Sequence, residues 1–300
     1  MLIDIITKEP LEPLTPEIFV IPSAGMERYI AFSIAQKKHI CANNLYLFPN
    51  AFVHYIFQAV FNDLPLKTVF DPEILCWKLF SLLPEFIKKK EFNHLSSYIY
   101  DDPSEVKMFQ ICKKIADIFD QYTVFRPQML HNWEKKKKTQ NPHEKWQADL
   151  WNSVIKNTSH DHRVTLQMAL NSELYKNKNK ITALPRRIIL FGISYLPRFH
   201  LDILQIIAPF CEINLFTLNP CRHFWDDIVS EKQLFRKTQI LFSDQNKNEK
   251  PDLHHFESGN SLLASLGEYG KDFFTLLHSI DTVDNESFIN PTDNSLLAAI

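Results

Sequence analysis

The segment around Gly25 has the layout of a phosphate-binding loop but lacks the chemistry of one. An apolar run at residues 18–21 leads into Gly25 and then into a helix whose apolar residues recur at helical spacing. Nucleotide-binding α/β folds place several glycines at such a junction, with a lysine for phosphate oxygens and a Ser or Thr for magnesium. This stretch has one glycine, no lysine, and Glu27 where an anion would lie. It predicts a strand–helix junction without ATPase chemistry.

A second set of polar residues lies within one predicted helix. Asp117, Asp120 and Gln121 share its polar face with two lysines, opposite a buried stripe that includes Phe119. Two carboxylates at positions i and i+3 could begin a metal site, but no histidine or third acid accompanies them. The residues by themselves therefore favour a solvated helix face over a metal pair or a polar channel wall.

Cysteine and histidine clusters offer further chemistry, and each has a plainer interpretation. Cys221 and His223 follow a strand end, but neighbours on an extended loop point apart, so we predict a structural turn anchored by Trp225. The histidines of residues 160–162 and 254–255 lack further spaced ligands and are expected to be solvated. Four tryptophans in helical segments are predicted to be core residues rather than base-stacking platforms: Trp77, Trp133, Trp146 and Trp151.

Composition limits the classes of protein that remain. The net charge of −2 over 300 residues creates no overall field for nucleic acid, so any DNA contact must be local. Five scattered cysteines without a C-x-x-C pair predict reduced thiols, not disulfides or structural zinc. No run approaches the roughly 18 apolar residues of a membrane span, and no basic leader opens the chain. These features predict a soluble, cytoplasmic protein without membrane contact.

The elements that would position these residues form two α/β stretches around a helical one. Strands are predicted at residues 18–21, 188–191 and 212–216, with a helix at 200–209 that makes the last two strands a parallel βαβ unit. Between about residues 50 and 180 the pattern is almost wholly helical. Three capping residues before prolines mark helix starts there: Asp71-Pro72, Asp102-Pro103 and Asn141-Pro142.

This order predicts an α/β fold with a discontinuous parallel-sheet domain. The sheet domain would comprise residues 1–50 and 181–300, and an all-helical subdomain, residues 51–180, would be inserted into it. Near the end of the chain, residues 262–279 are predicted to form one amphipathic helix that is locally broken at Gly267 and Gly270.

Five segments, in the same order along the chain, resemble the RecC family, the gamma subunit of bacterial exodeoxyribonuclease V. The segments are residues 22–26 (Pro-Ser-Ala-Gly-Met), 117–122 followed by 125–127, 191–197, 219–228 and 262–272. The resemblance implies a helicase-like, superfamily-1-type fold that has lost ATPase function and contains no catalytic residue. It also implies that the chain binds no cofactor, because ATP and magnesium would belong to partner subunits.

The resemblance further implies RecB-like and RecD-like partners, and contact with single-stranded and forked double-stranded DNA. Such a subunit guides the 3′-ended strand and helps to scan it for the recombination hotspot Chi. The family begins with a strand that would precede Met1 and continues beyond Ile300, so we expect this chain to be a fragment.

The family's strand-scanning surface falls on two groups of residues here. The first group comprises Asp117, Ile118, Asp120, Gln121, Arg126 and Arg163. The second group comprises Pro22, Ala24, Arg28, Phe48 and His54. In the second group Pro22 and Ala24 replace side chains that could read base edges, which predicts altered or lost Chi recognition with the strand channel retained.

Three alternatives stay open. Arg126 and Arg163 could make helix-end ion pairs instead of DNA contacts. The chain could be a scaffold that binds the motor subunits without touching DNA. It could also be a working ATPase or nuclease, against which the missing lysine after Gly25 and the lack of a D…E-x-K-like acidic cluster argue.

Overall fold

A four-stranded parallel sheet forms the centre of the computed structural model. The structure describes residues 2–61, 64–101, 104–137, 141–156, 158, 161–222, 225, 228, 230, 235 and 261–288. The strands lie in the order β2-β1-β3-β4, so the two α/β ends of the chain meet between β1 and β3. Their bounds are β1 (Glu17–Val20), β2 (Asn44–Leu47), β3 (Arg187–Phe191) and β4 (Glu212–Phe216).

Helices cover both faces of the sheet because alternate strand residues point to opposite sides. Ile18 and Val20 face a core shared with α3 (Pro49–Val60) and α11 (Arg198–Ile207). Phe19 and Ile21 face a smaller core shared with two other helices: α1 (Leu2–Lys8) and α2 (Ala24–Lys38).

A separate hydrophobic core lies within the helical stretch. It is built mainly from five helices and a 3₁₀ turn (Lys90–Phe92), and the buried Trp151 and Phe119 meet edge to face at its centre. The helices are α4 (Pro72–Phe86), α5 (Asn93–Ile99), α6 (Val106–Phe125), α7 (Pro127–Glu134) and α8 (Pro142–Lys156).

The next helix, α9 (Arg163–Lys176), contributes to two cores. Its Val164 packs into the helical core, whereas Leu166, Leu170 and Leu174 pack into the core beneath the sheet. The remaining helices are α10 (Lys178–Thr182), α12 (Ser261–Leu266) and α13 (Glu268–His278). None of the described helices is long and apolar enough to cross a membrane.

The α/β fold and the strands predicted from three apolar runs are confirmed. One strand was missed, because β2 is a short, half-buried edge strand that begins with Asn44. The helix predicted at residues 262–279 is two helices that separate at Gly267, while Gly270 lies inside α13. At Gly267 a Cβ would clash with the Leu263 carbonyl oxygen and with Trp225.

Candidate functional site

The connection from β1 to α2 is too short to form a loop of its own. Only residues 21–23 separate the strand from the helix, and Ser23 caps that helix by accepting a hydrogen bond from Met26 N–H (N···Oγ 3.3 Å). Gly25 does not precede the helix, as its place between the apolar run and the helical pattern suggested, but lies within the first turn of α2. A Cβ there would make only ordinary contact with Ser23.

The glycine that the fold does require is Gly192, at the end of β3. Its φ of +69° lies in the left-handed region, and a Cβ would come within 2.8 Å of Met26 Cε. Its N–H donates to the Phe216 carbonyl oxygen (3.0 Å), which ties the ends of β3 and β4 together.

The second group of predicted residues gathers at the carboxyl edge of the sheet. Because β1 and β2 are parallel neighbours, Pro22 and Phe48 follow strands that end side by side, and Ile21 N–H donates to the Leu47 carbonyl oxygen (2.9 Å). Pro22 and Phe48 are exposed. Ala24 and Arg28, which lie on α2, are exposed as well. Only His54, within α3, is half-buried.

An ion pair connects two members of the first group. Arg163, at the start of α9, places Nη2 3.1 Å from Oδ1 of Asp120 on α6. Burial raises the pKa of Asp120, and the positive charge of Arg163 opposes that shift. The carboxylate and the guanidinium therefore hold each other in place at a partly buried position.

A histidine that sequence reasoning did not identify extends this pair toward the sheet. His200, on α11, is only 5% exposed, and its Nε2 donates to Oδ1 of Asn50 on α3 (3.0 Å). Burial, followed by the charge of Arg163, lowers the pKa of His200 to about 4, so its ring is neutral near pH 7. We call Asp120, Arg163, His200 and Asn50 the polar junction.

Three buried nitrogens in and beside the polar junction have no hydrogen-bond partner among the described residues: Arg163 Nη1, His200 Nδ1 and His54 Nε2. His54, from the second predicted group, lies one turn after Asn50 on α3. Buried polar atoms are normally paired, so the junction keeps hydrogen-bonding capacity that the described protein groups do not use.

The other members of the first group surround the ion pair without joining it. Asp117 and Ile118 are half-buried on α6, and Gln121 is exposed near the end of that helix. Arg126 is exposed between α6 and α7, with its guanidinium 5.8 Å from the centre of the Tyr122 ring. Pro127 follows the end of α6 and is the first residue of α7.

His162 corrects the prediction of solvated histidines. It is 4% exposed, and its Nε2 lies 2.7 Å from Oε1 of Glu134. Burial alone would raise the pKa of Glu134, but the hydrogen bond and charge of His162, with a bond from Trp151 Nε1, lower it overall. His162 thus belongs to the helical core.

Trp77 was also predicted wrongly as a core residue. It is 62% exposed and packs against Phe80 and Phe109 on the outside of α4 and α6. Trp133 and Trp151 are buried as predicted, and Trp146 is partly buried.

The predicted structural turn near Cys221 is confirmed for its described residues. Oδ1 of Asn219 accepts from Cys221 N–H (3.2 Å) and from Nε1 of the buried Trp225 (3.1 Å). All five cysteine thiols are free. Several other predictions concern positions outside the described residues: Asp102-Pro103, His160, His223 and residues 254–255.

Metal ligands do not gather at this site. Within the part of the chain that the structure describes, no three His, Cys, Asp or Glu side chains come together as a metal would require. The polar junction instead offers one guanidinium, one carboxylate, one neutral imidazole and one carboxamide. These groups suit hydrogen bonding to polar or anionic ligand atoms.

The fold and the junction define an α/β protein with a polar site where the sheet's carboxyl side meets a helical region. The chain belongs to the RecC family, whose N-terminal domain model matches residues 1–300.

Three curated relatives are each named RecBCD enzyme subunit RecC. The relative from Escherichia coli (strain K12) is 32% identical over 98% of this chain and 28% of its own length. The relative from Haemophilus influenzae is 30% identical over 97% of this chain and 30% of its own length. That from Buchnera aphidicola of Acyrthosiphon pisum is 25% identical over 95% and 26%, respectively. The chain thus spans less than a third of these relatives.

Proposed function

We propose that this chain is the part of a RecBCD-type exodeoxyribonuclease V subunit along which single-stranded DNA passes. It would guide the 3′-ended strand and contribute to Chi scanning, alongside RecB-like and RecD-like subunits that supply catalysis, ATP and magnesium. Family membership supports the assembly. The proposal includes a helicase-like sheet domain with an inserted helical subdomain, divided at about residues 50 and 180.

The observation that carries the proposal is the partly exposed guanidinium of Arg163, whose side chain is 27% exposed. Asp120 fixes the group through Nη2, and the buried Nη1 has no partner among the described residues, so a strand would contact the exposed part of the side chain. Arg126 is exposed and directly follows α6, the helix that carries Asp120. Guanidinium groups bind phosphate oxygens and stack on bases, which are the two contacts that a strand channel needs.

The β1–α2 connection supports a non-catalytic role. A phosphate cradle needs a run of free backbone N–H groups and a free hydroxyl for magnesium. Here the connection is three residues long, and the Ser23 hydroxyl already caps α2. Pro22 and Ala24 at the same edge have no side-chain donors, which supports altered reading of base sequence.

A salt series of single-stranded DNA binding tests the proposal. The variant Arg126→Ala/Arg163→Ala is compared with wild type in the assembled complex without ATP. If both side chains touch phosphate, the slope of log affinity against log salt becomes shallower by about 1.4. The matched control, Lys178→Ala/Arg186→Ala, removes the same charge from exposed positions near the amino edge of the sheet and should leave the slope unchanged.

Equal slopes for both double variants would reject the strand channel. Chi-dependent pausing in the same complex tests the altered-recognition part separately, and a normal response to the usual octamer would contradict that part. ATP hydrolysis by the purified chain would revive the ATPase alternative.

The scaffold alternative rests on a different observation. Trp77 and Phe109 form an exposed aromatic pair (5.3 Å between ring centres) on the outside of the helical region, as a subunit contact would require. In that case Trp77→Ala would weaken assembly of the complex, and the arginine variants would leave DNA binding intact.

A further inference from the structure

A polar groove lies between α7, α9 and α11, and its lining includes Pro127 and Val164, the residues that directly follow Arg126 and Arg163. Its volume is about 390 Å³, within the range of roughly 300–1,000 Å³ that is usual for small-ligand sites. Three carboxamides and one imidazole give it its chemical character, and we call it the amide groove: Gln128, His131, Gln167 and Asn171, with Asp202 on α11.

Helix geometry aligns this groove with the polar junction. Arg163, Gln167 and Asn171 follow one another at i, i+4 and i+8 on α9, so they share one helix face. On α7, Pro127 lines the groove directly after Arg126. A ligand that occupies the groove would therefore contact the residues next to Arg163 on α9 and next to Arg126 on α7.

The groove is unsuited to an anion but suited to a flat polar group. Its charged side chain is Asp202, which pairs with Arg198 (Nε···Oδ1 2.7 Å) and accepts a long bond from Gln167 (3.5 Å). Carboxamides present a donor and an acceptor side by side, which matches the edge of a nucleobase. The half-exposed Met168 adds apolar surface that can contact the face of a base.

We propose that the amide groove holds one unpaired nucleobase of the single strand, and that it favours adenine. Gln and Asn side chains bind the N6 and N7 atoms of adenine through two hydrogen bonds. The phosphates of the same strand would lie outside the groove, toward Arg126 and Arg163. This inference rests on the proposed strand-guiding function and names a base site for it.

The test compares base preference with salt dependence in the assembled complex without ATP. The probes are 12-residue strands of deoxyadenylate, of thymidylate and of abasic sugar phosphate. Wild type should bind the adenine strand more tightly than the abasic strand. Gln167→Leu/Asn171→Leu should lower that preference roughly tenfold, the loss of one paired base contact, without changing the salt slope. The control Gln36→Leu alters an exposed amide on α2 and should keep the preference.

A second variant guards against misfolding. The similarly sized, uncharged Gln167→Met removes the amide without placing a second carboxylate beside Asp202, and it should lower the preference while the thermal unfolding curve matches that of wild type. A variant that keeps the wild-type preference, or a wild type with no preference, would overturn the base site but leave the arginine result standing. Loss of subunit assembly instead of base preference would also overturn it, because the groove would then bind a protein partner.

Discussion

Two arginines, one at the amino end of β3 and one at the start of α9, differ in how completely their guanidinium groups are paired. Arg187, the first residue of β3, is 1% exposed and bonds to Glu17 Oε1 (3.0 Å), Glu212 Oε2 (3.0 Å) and the Glu9 carbonyl oxygen. Arg163 is 27% exposed and has a single ion pair, with one buried nitrogen unpaired among the described residues. The guanidinium of Arg187 is fully paired, although Glu17 Oε2 beside it has no partner among the described residues, whereas the guanidinium of Arg163 is only partly paired.

The difference is the one expected if Arg187 stabilises the fold and Arg163 binds a ligand, as proposed above. At the amino edge every nitrogen of the guanidinium has a partner, and the group joins β1, β3, β4 and the chain after α1. At the polar junction the pairing is incomplete, which is tolerable where a ligand completes it. Parallel α/β sheets bind ligands at their carboxyl edge, and this contrast agrees with that rule.

Replacing Arg187 should have the largest effect on folding. Arg187→Met would leave Glu17 buried without its counter-charge, so we expect the free energy of unfolding to fall by about 3–5 kcal/mol in urea titrations. Burial already raises the pKa of Glu17 despite Arg187, so adding Glu17→Gln to the variant should recover part of the loss. A decrease in the free energy of unfolding of less than about 1 kcal/mol would show that the ion pairs of Arg187 do not stabilise the amino edge of the sheet.

The next largest effect concerns pH and His200. Its folded-state pKa of about 4 lies below the ordinary 6.5, so the unfolded chain takes up the proton first as pH falls. Wild type should therefore lose about 2–3 kcal/mol more than His200→Gln between pH 7 and pH 4. Urea unfolding of both proteins at each pH measures the difference. Parallel pH profiles would mean that His200 is solvated in the folded protein.

Replacing Arg163 should cost less than replacing Arg187. Arg163→Met leaves Asp120 partly exposed, where water can replace the lost partner, so we expect a loss of about 1–2 kcal/mol. Denaturant midpoints of the two methionine variants, measured side by side, test the ranking directly. If Arg163→Met lowered the free energy of unfolding as much as Arg187→Met or more, the contrast between a structural Arg187 and a ligand-binding Arg163 would be contradicted.

An exposed ion pair gives the lower end of the scale. Glu73→Gln removes the partner of Lys67 (3.1 Å), and both side chains are largely in solvent, so the change should stay within about 0.5 kcal/mol. A thermal scan in low and high salt suffices to measure it. A larger loss of stability that does not depend on salt would show that the exposure of an ion pair does not predict its contribution to stability in this protein.

Sequence patterns predicted the parts of the fold that depend on local apolar runs. β1 and β3 contain continuous apolar runs such as Ile188-Ile189-Leu190, which indicate a buried strand, and β4 combines Ile213 with the pair Leu215-Phe216. β2 was not predicted because Leu45 and Leu47 alternate with the polar or amphipathic Asn44 and Tyr46 in a half-buried edge strand. Helix starts at Pro72 and Pro142 were predictable from the capping residue before each proline.

The candidate site was less predictable, because its contacts span long sequence separations. Asn50 and His200 are 150 residues apart, and nothing local to either residue indicates the other. Asp120 and Arg163 entered one surface only through the family resemblance. His162 looked like a loop residue, and its burial depends on Glu134 and Trp151 from other helices.

The position of α9 has a mechanical consequence. Its first turn is anchored in the helical core through Val164, and its later turns are anchored under the sheet through Leu170 and Leu174. Under the proposed function, a DNA strand bound at Arg163 and moved by partner subunits would pull on the first residue of this helix. Because α9 is a continuous helix, the force would be transmitted to the helical core and to the core beneath the sheet at the same time.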